Sequence, residues 1–209
     1  MPWSIVGSVA LDISLIIYLI RYLPQLIYNQ KQAYIHQISL TTQLLMVLAN
    51  GFDLLYGIGL GLPWQYQLVS FVTLGFLVVQ QVQIQKAYQN VPKQHYLGWF
   101  VTILSIIGLF IPWPYMFLLT LGWISSGSYL IYWIPQIIQN SQQQQGRGFS
   151  PQFMGLSLMS VFCDVIAAWF LYWPLPSLVT PLVTLSLYLI MIAQYYQHQS
   201  KIHIKRSVQ

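Results

Sequence analysis

The stretch Tyr18-Leu19-Ile20-Arg21-Tyr22-Leu23-Pro24-Gln25, followed by Asn29, decides the fold because it returns in the second half of the chain. The second copy reads Tyr129-Leu130-Ile131-Tyr132-Trp133-Ile134-Pro135-Gln136, followed by Asn140. Outward from these two stretches, residues 11–85 align on 122–196 without a gap. Ser14 falls on Ser125, Ser39 on Ser150, Asp53 on Asp164, Pro63 on Pro174 and Gln83 on Gln194. Leucine matched to leucine carries little information in so apolar a chain. Prolines and polar residues kept in one register indicate a duplicated unit.

The solvent for that unit is lipid. Of 209 residues 56% are hydrophobic and 5% charged, whereas soluble domains carry about 25% charged residues. Apolar stretches of the roughly 20 residues needed to cross a bilayer fall at 4–27, 38–60, 66–85, 95–111, 115–138, 150–173 and 176–197. The connectors 61–65, 112–114 and 174–175 are short and uncharged, while 28–37, 86–94 and 139–149 carry Lys31, Lys86, Lys93 and Arg147. Lys201, Lys205 and Arg206 follow the last span, and Arg21 lies near the same end of the first. Seven spans put every basic residue on one side; an even number would scatter them. The excess of basic residues on cytoplasmic loops then places the N-terminus outside or in a lumen and the C-terminus in the cytoplasm.

Segment 95–111 has no counterpart in the repeat. The expected architecture is therefore all-α and membrane-integral, with seven transmembrane helices arranged as three, one and three. The units are a first repeat at 1–88, a linker helix at 89–112, a second repeat at 113–198 and a cytoplasmic tail at 199–209. One linker helix makes both repeats enter the membrane in the same sense, related by an axis along its normal. Met1-Pro2-Trp3-Ser4 has no basic segment before the apolar run, so that run reads as a span and not as a signal peptide. No Asn-x-Ser/Thr sequon occurs, and with short termini this favours a bacterial inner membrane over a lysosomal or vacuolar one.

The same residues exclude several functions. Cys163 is alone, so no internal disulfide forms. His36, His95, His198 and His203 fit no metal-ligand spacing. There is no phosphate-binding loop and no nucleophile elbow; neither an enzyme, a cofactor nor a nucleic-acid partner is expected, and the net charge of +5 belongs to the loops. Trp64, Trp113, Trp123, Trp169 and Trp173 gather at span ends, as interfacial tryptophans do. Gly57-x-x-x-Gly61 fits helix packing or a homodimer contact.

The paired motifs, with Lys31 and Ser39 after the first and Arg147-Gly148-Phe149-Ser150 after the second, resemble the PQ-loop family over nearly the whole chain. That family includes cystinosin, lysosomal cationic amino-acid exporters and, more distantly, the SWEET sugar transporters. The resemblance implies a seven-span transporter in which Pro24 and Pro135 act as hinges during alternating access. Gln25 and Gln136 are then expected to satisfy the carbonyls that the prolines free. The first loop, Lys31 to Gln37, departs from the family pattern, and the run Gln142–Gln145 reads as a solvated loop.

All three acids, Asp12, Asp53 and Asp164, lie within predicted spans. An ionised Asp at the centre of a bilayer costs about 2.5–3.5 kcal/mol on insertion scales. No Lys or Arg is expected to pair at that depth, since Arg21 lies nine residues from Asp12 and on the opposite helix face. Each acid must therefore meet water, polar neighbours, a proton or a ligand. Asp53 follows Asn50 and Gln43 on one helix face, and Asp164 follows Ser160 and Ser157. Two symmetry-related spans thus present Asp53 and Asp164 toward what is expected to be one cavity. Asn50, Ser160 and Trp169 stand beside them as candidate contacts; Asp12, matched by Trp123, has no support from the repeat. The expected function is secondary transport of a small polar solute, an amino acid of cationic or cystine-like type, with or without a coupled proton. A SWEET-type sugar uniporter is the runner-up. From another class comes a receptor or scaffold on the KDEL-receptor frame; under each reading the protein is expected to be a monomer or homodimer. A basic cavity for a terminal carboxylate would mark that receptor.

Overall fold

A proline has no N–H for the carbonyl four residues back, so Pro24 and Pro135 should interrupt their helices near Ile20 and Ile131. The computed structural model, which describes residues 2–31, 35–62, 64–143, 148–172 and 175–207, shows both breaks at those residues. The helices in chain order are α1 (Pro2–Ile20), α2 (Tyr22–Asn29), α3 (Leu40–Gly59), α4 (Trp64–Ala87), α5 (Lys93–Gly108), α6 (Tyr115–Ile131), α7 (Ile134–Gln143), α8 (Pro151–Phe170) and α9 (Leu175–Ser207). Arg21 separates α1 from α2, and Tyr132 with Trp133 separates α6 from α7. Pro63, Arg147, Trp173 and Pro174 lie outside the described residues.

These helices form seven spans, with α1–α2 and α6–α7 each making one broken span. Five are long and apolar enough by themselves to cross a membrane. Of the other two, α5 has only 16 residues, and Gln43, Asn50 and Asp53 dilute the apolar character of α3. Both are carried by packing against their neighbours. The final helix runs on to Ser207 through the segment expected as a tail.

Most polar residues of the spans face inward, with Asp12, Thr120 and Ser186 among the exceptions. On the first span Ser14, Arg21, Gln25 and Asn29 are buried while Ile13, Ile16, Ile20, Leu23 and Ile27 are exposed. That inversion is what a lipid environment requires. Trp64, Trp123 and Trp169 are likewise exposed.

The two repeats are exchanged rather than stacked side by side. The first span of each packs against the second span of the other: α1 on α8, and α6 on α3. The linker α5 lies against α3 and α4, so it belongs spatially to the first repeat. At the centre Tyr22 and Trp133, matched in the repeat, pack with Phe149, Phe153 and Tyr188. The Tyr22–Phe153 and Trp133–Tyr188 ring centroids are both 5.0 Å apart.

Of the two glycines expected to pack helices, Gly57 does so and Gly61 ends its helix. Gly57 faces the Tyr66 ring, whereas Gly61 has φ +63°. At that position the amides of Gly61 and Leu62 close back on the carbonyls of Ile58 (3.1 Å) and Gly57 (2.9 Å), ending α3. Substituting Gly61→Ala places a Cβ in a left-handed conformation. It should lower stability by about 1 kcal/mol, read as an earlier thermal midpoint of the detergent-solubilised protein, while Gly75→Ala, in open space within a helix, should not.

Candidate functional site

The second span of each repeat starts at a serine N-cap. Ser39 Oγ accepts from the Thr42 amide at 3.3 Å, and Ser150 Oγ accepts from the Phe153 amide at 3.0 Å. In a complete capping box a Glu or Gln three residues into the helix reaches back to the N–H of the cap. Thr42 and Phe153 occupy that place here, and neither side chain can do so. The buried N–H of each cap is satisfied from the opposite repeat. Ser39 donates to Gln136 Oε1 and Ser150 donates to Gln25 Oε1, both at 2.7 Å.

The rest of each glutamine amide is also used. Gln136 Nε2 donates to the Gln37 carbonyl (3.0 Å) and Asn140 Oδ1 (2.8 Å). Gln25 Nε2 donates to the Gly148 carbonyl (3.2 Å) and Asn29 Oδ1 (2.7 Å). Asn29 then donates to Gln83, whose amide returns to the Leu26 carbonyl. Asn140 donates to Gln194, which returns to the Ile137 carbonyl. Each partner in one network has its equivalent in the other at the register of the repeat. Gly148 lies so close to the Gln37 carbonyl that a Cβ would collide with it.

The carboxylates sit where the repeats cross. Asp53, 8% exposed, accepts from Tyr66 Oη, from Ser70 Oγ at 2.5 Å and from Ser125 Oγ at 3.4 Å. Asp164 accepts from Ser14 Oγ at 2.5 Å and Tyr18 Oη at 2.6 Å. Ser14 and Ser125, equivalent by the repeat, also reach the carbonyls of Ser160 and Ala49, themselves equivalent. Asn50 accepts from Tyr129 at 3.0 Å and donates to the Met46 carbonyl. The Ser160 hydroxyl bonds back to the Ser157 carbonyl in its own helix. Trp169 is 66% exposed on the outer surface and Asp12 is not buried, so neither joins a carboxylate cluster. Two clefts, of about 610 and 270 Å³, lie elsewhere. The larger is bordered by His36, Ser39, Tyr88, Pro135 and Gln139, the smaller by Leu55, Gly108 and Trp113.

Residues 6–66 and 117–177 each match the PQ loop repeat. The two matches are offset from one another as Pro24 is from Pro135, and together they take in more than half of the chain. The chain belongs to the PQ-loop family. Its fold is similar to that of a solved eukaryotic SWEET transporter, with a TM-score of 0.65 over 96% of this chain and 100% of that one, at 14% identity. No curated protein matches the chain.

Two expectations about the PQ-loop motifs change. Gln25 and Gln136 do not serve the carbonyls freed by their own prolines; they complete the helix caps of the opposite repeat. The unpaired cap N–H presents a buried donor there. Arg21, expected among the loop charges, is 6% exposed and lies over the Tyr18 ring at 4.0 Å and the Tyr22 ring at 5.0 Å. The break before Pro24 leaves it on the inner stripe Ser14, Tyr18, Arg21, Gln25. Sequence reasoning also passes over the hydroxyls of Ser14, Tyr18, Tyr66, Ser70 and Ser125. For Ser14, Ser125 and Tyr18 the signal is present, since each is matched across the repeat.

Removing one glutamine strands a buried cap N–H, which costs about 1–3 kcal/mol. Gln25→Leu and Gln136→Leu should each lower the thermal midpoint by several degrees. By symmetry the two shifts should be of similar size, measured on detergent-solubilised protein.

Proposed function

We propose that this protein is a secondary transporter that moves a small polar solute by alternating access, the two repeats rocking about the breaks at Pro24 and Pro135. The solute is an amino acid. Asp53 and Asp164, with Asn50 and Ser160 beside them, form the region that meets its cationic group or takes up a coupled proton. One observation carries this reading: two carboxylates at the same repeat position, each held by hydroxyl groups where spans of opposite repeats cross. Hydroxyls can rotate to donate to a carboxylate or to accept from a neutral acid or an ammonium ion. They permit exchange where a fixed ion pair would resist it. The basic residues of the connectors favour an N-terminus outside and a C-terminus in the cytoplasm. PQ-loop membership and the SWEET-like fold support transport as the general activity.

A sugar uniporter is the second reading, and a separate observation favours it. Gln80 is fully buried with both amide atoms unpartnered, and Gln43 Oε1 and Thr73 Oγ1 are also buried without partners. Neutral donors and acceptors of this kind suit a polyol.

Uptake of labelled amino acids and sugars into proteoliposomes, with and without a pH gradient, separates the two. Amino-acid uptake should fall about tenfold or more in Asp53→Asn and Asp164→Asn, the scale of a lost charged hydrogen bond. Sugar flux that ignores both substitutions and the gradient would replace the amino-acid reading with the uniporter.

A further inference from the structure

Arg21 is the buried cation of the first span, and among the described residues no carboxylate pairs with it directly. Tyr18 and Tyr22 lie under its guanidinium, and Tyr132 and Tyr188 stand close enough to act on its charge. Ring faces attract a cation, and the Tyr22 side chain is also hydrogen-bonded to Arg21, but Nε, one edge of the planar donor fork, has no hydrogen-bond partner. Asp164 is near enough to feel the charge of Arg21, yet its two oxygens are taken by Ser14 and Tyr18. Tyr18 therefore stands between carboxylate and guanidinium, with its ring under one and its hydroxyl on the other. Tyr18 and Arg21 are three positions apart on one face of the span, a rise of about 5 Å.

The repeat makes this arrangement one-sided. Asp53 and Asp164 are matched, but the position equivalent to Arg21 is Tyr132. A symmetric frame thus holds acids on both sides and a cation on one. A solute with two unlike ends needs unlike groups to hold it, and this frame supplies them.

We infer that Arg21 is the anchor for a carboxylate on the transported solute, with the Asp164–Tyr18 pair facing the solute's amino group. The inference rests on the amino-acid reading above and narrows it to solutes that keep a free carboxylate. A guanidinium takes a carboxylate through two parallel N–H bonds, a geometry that an amide or an amine cannot reproduce.

The test uses the full-length protein in proteoliposomes and a panel of labelled L-amino acids. The competitors for each are the unlabelled acid, its carboxamide and its decarboxylated amine. The carboxamide and amine should compete at least about tenfold more weakly than the acid, as loss of a charge-assisted bond implies. In Arg21→Gln that preference should disappear, and Arg21→Lys should keep part of it. A carboxamide that competes with wild-type protein as well as the acid overturns the inference while leaving amino-acid transport standing, and this comparison needs no variant to fold. Retention of the full preference in Arg21→Gln overturns it too. If only sugars move, or if no solute moves, the transport reading beneath it falls first and takes it along.

Discussion

Two backbone N–H groups, those of Ser39 and Ser150, govern the arrangement of this molecule. Each is buried at the start of a helix that has no Glu or Gln three residues in to cap it. A buried unpaired amide is expensive, and neither is paired within its own repeat. Gln25 and Gln136 supply the pairing from across the pseudo-two-fold axis, and in doing so join the helix break of one repeat to the loop of the other. The exchanged packing of α1 on α8 and α6 on α3 is the larger-scale expression of the same requirement.

The helix breaks and the carboxylates occupy different parts of each repeat. The prolines break the helices just before the glutamines, separating the halves α1 and α6 from the clipped ends α2 and α7. The carboxylates lie on α8 and α3, the spans that pack against α1 and α6. The hydroxyl partners of Asp164 come from the first span of the opposite repeat, and those of Asp53 mainly from the third span of its own. Pro181 stands where the second repeat would need a match for Ser70, which explains part of that difference. The duplicated frame is thus symmetric in its helix caps and asymmetric around its carboxylates.

The duplication, the seven-span count and the break points were determined by the sequence alone. Polar residues and prolines held in one register, and a lipid environment that permits few charges, leave little freedom in those features. The matched Asp53 and Asp164 were legible for the same reason. Which side chains meet was decided only by the tertiary structure, because the partners lie on different spans and the repeat register says what is equivalent, not what touches. Chain position assigns Gln25 to its own helix, yet its side chain reaches Ser150. Chain position likewise assigns Arg21 to the loops, since its neighbours are near a span end, yet it is buried because the helix breaks beside it. Burial of a long polar side chain depends on what packs over it, and that is a property of the assembled bundle.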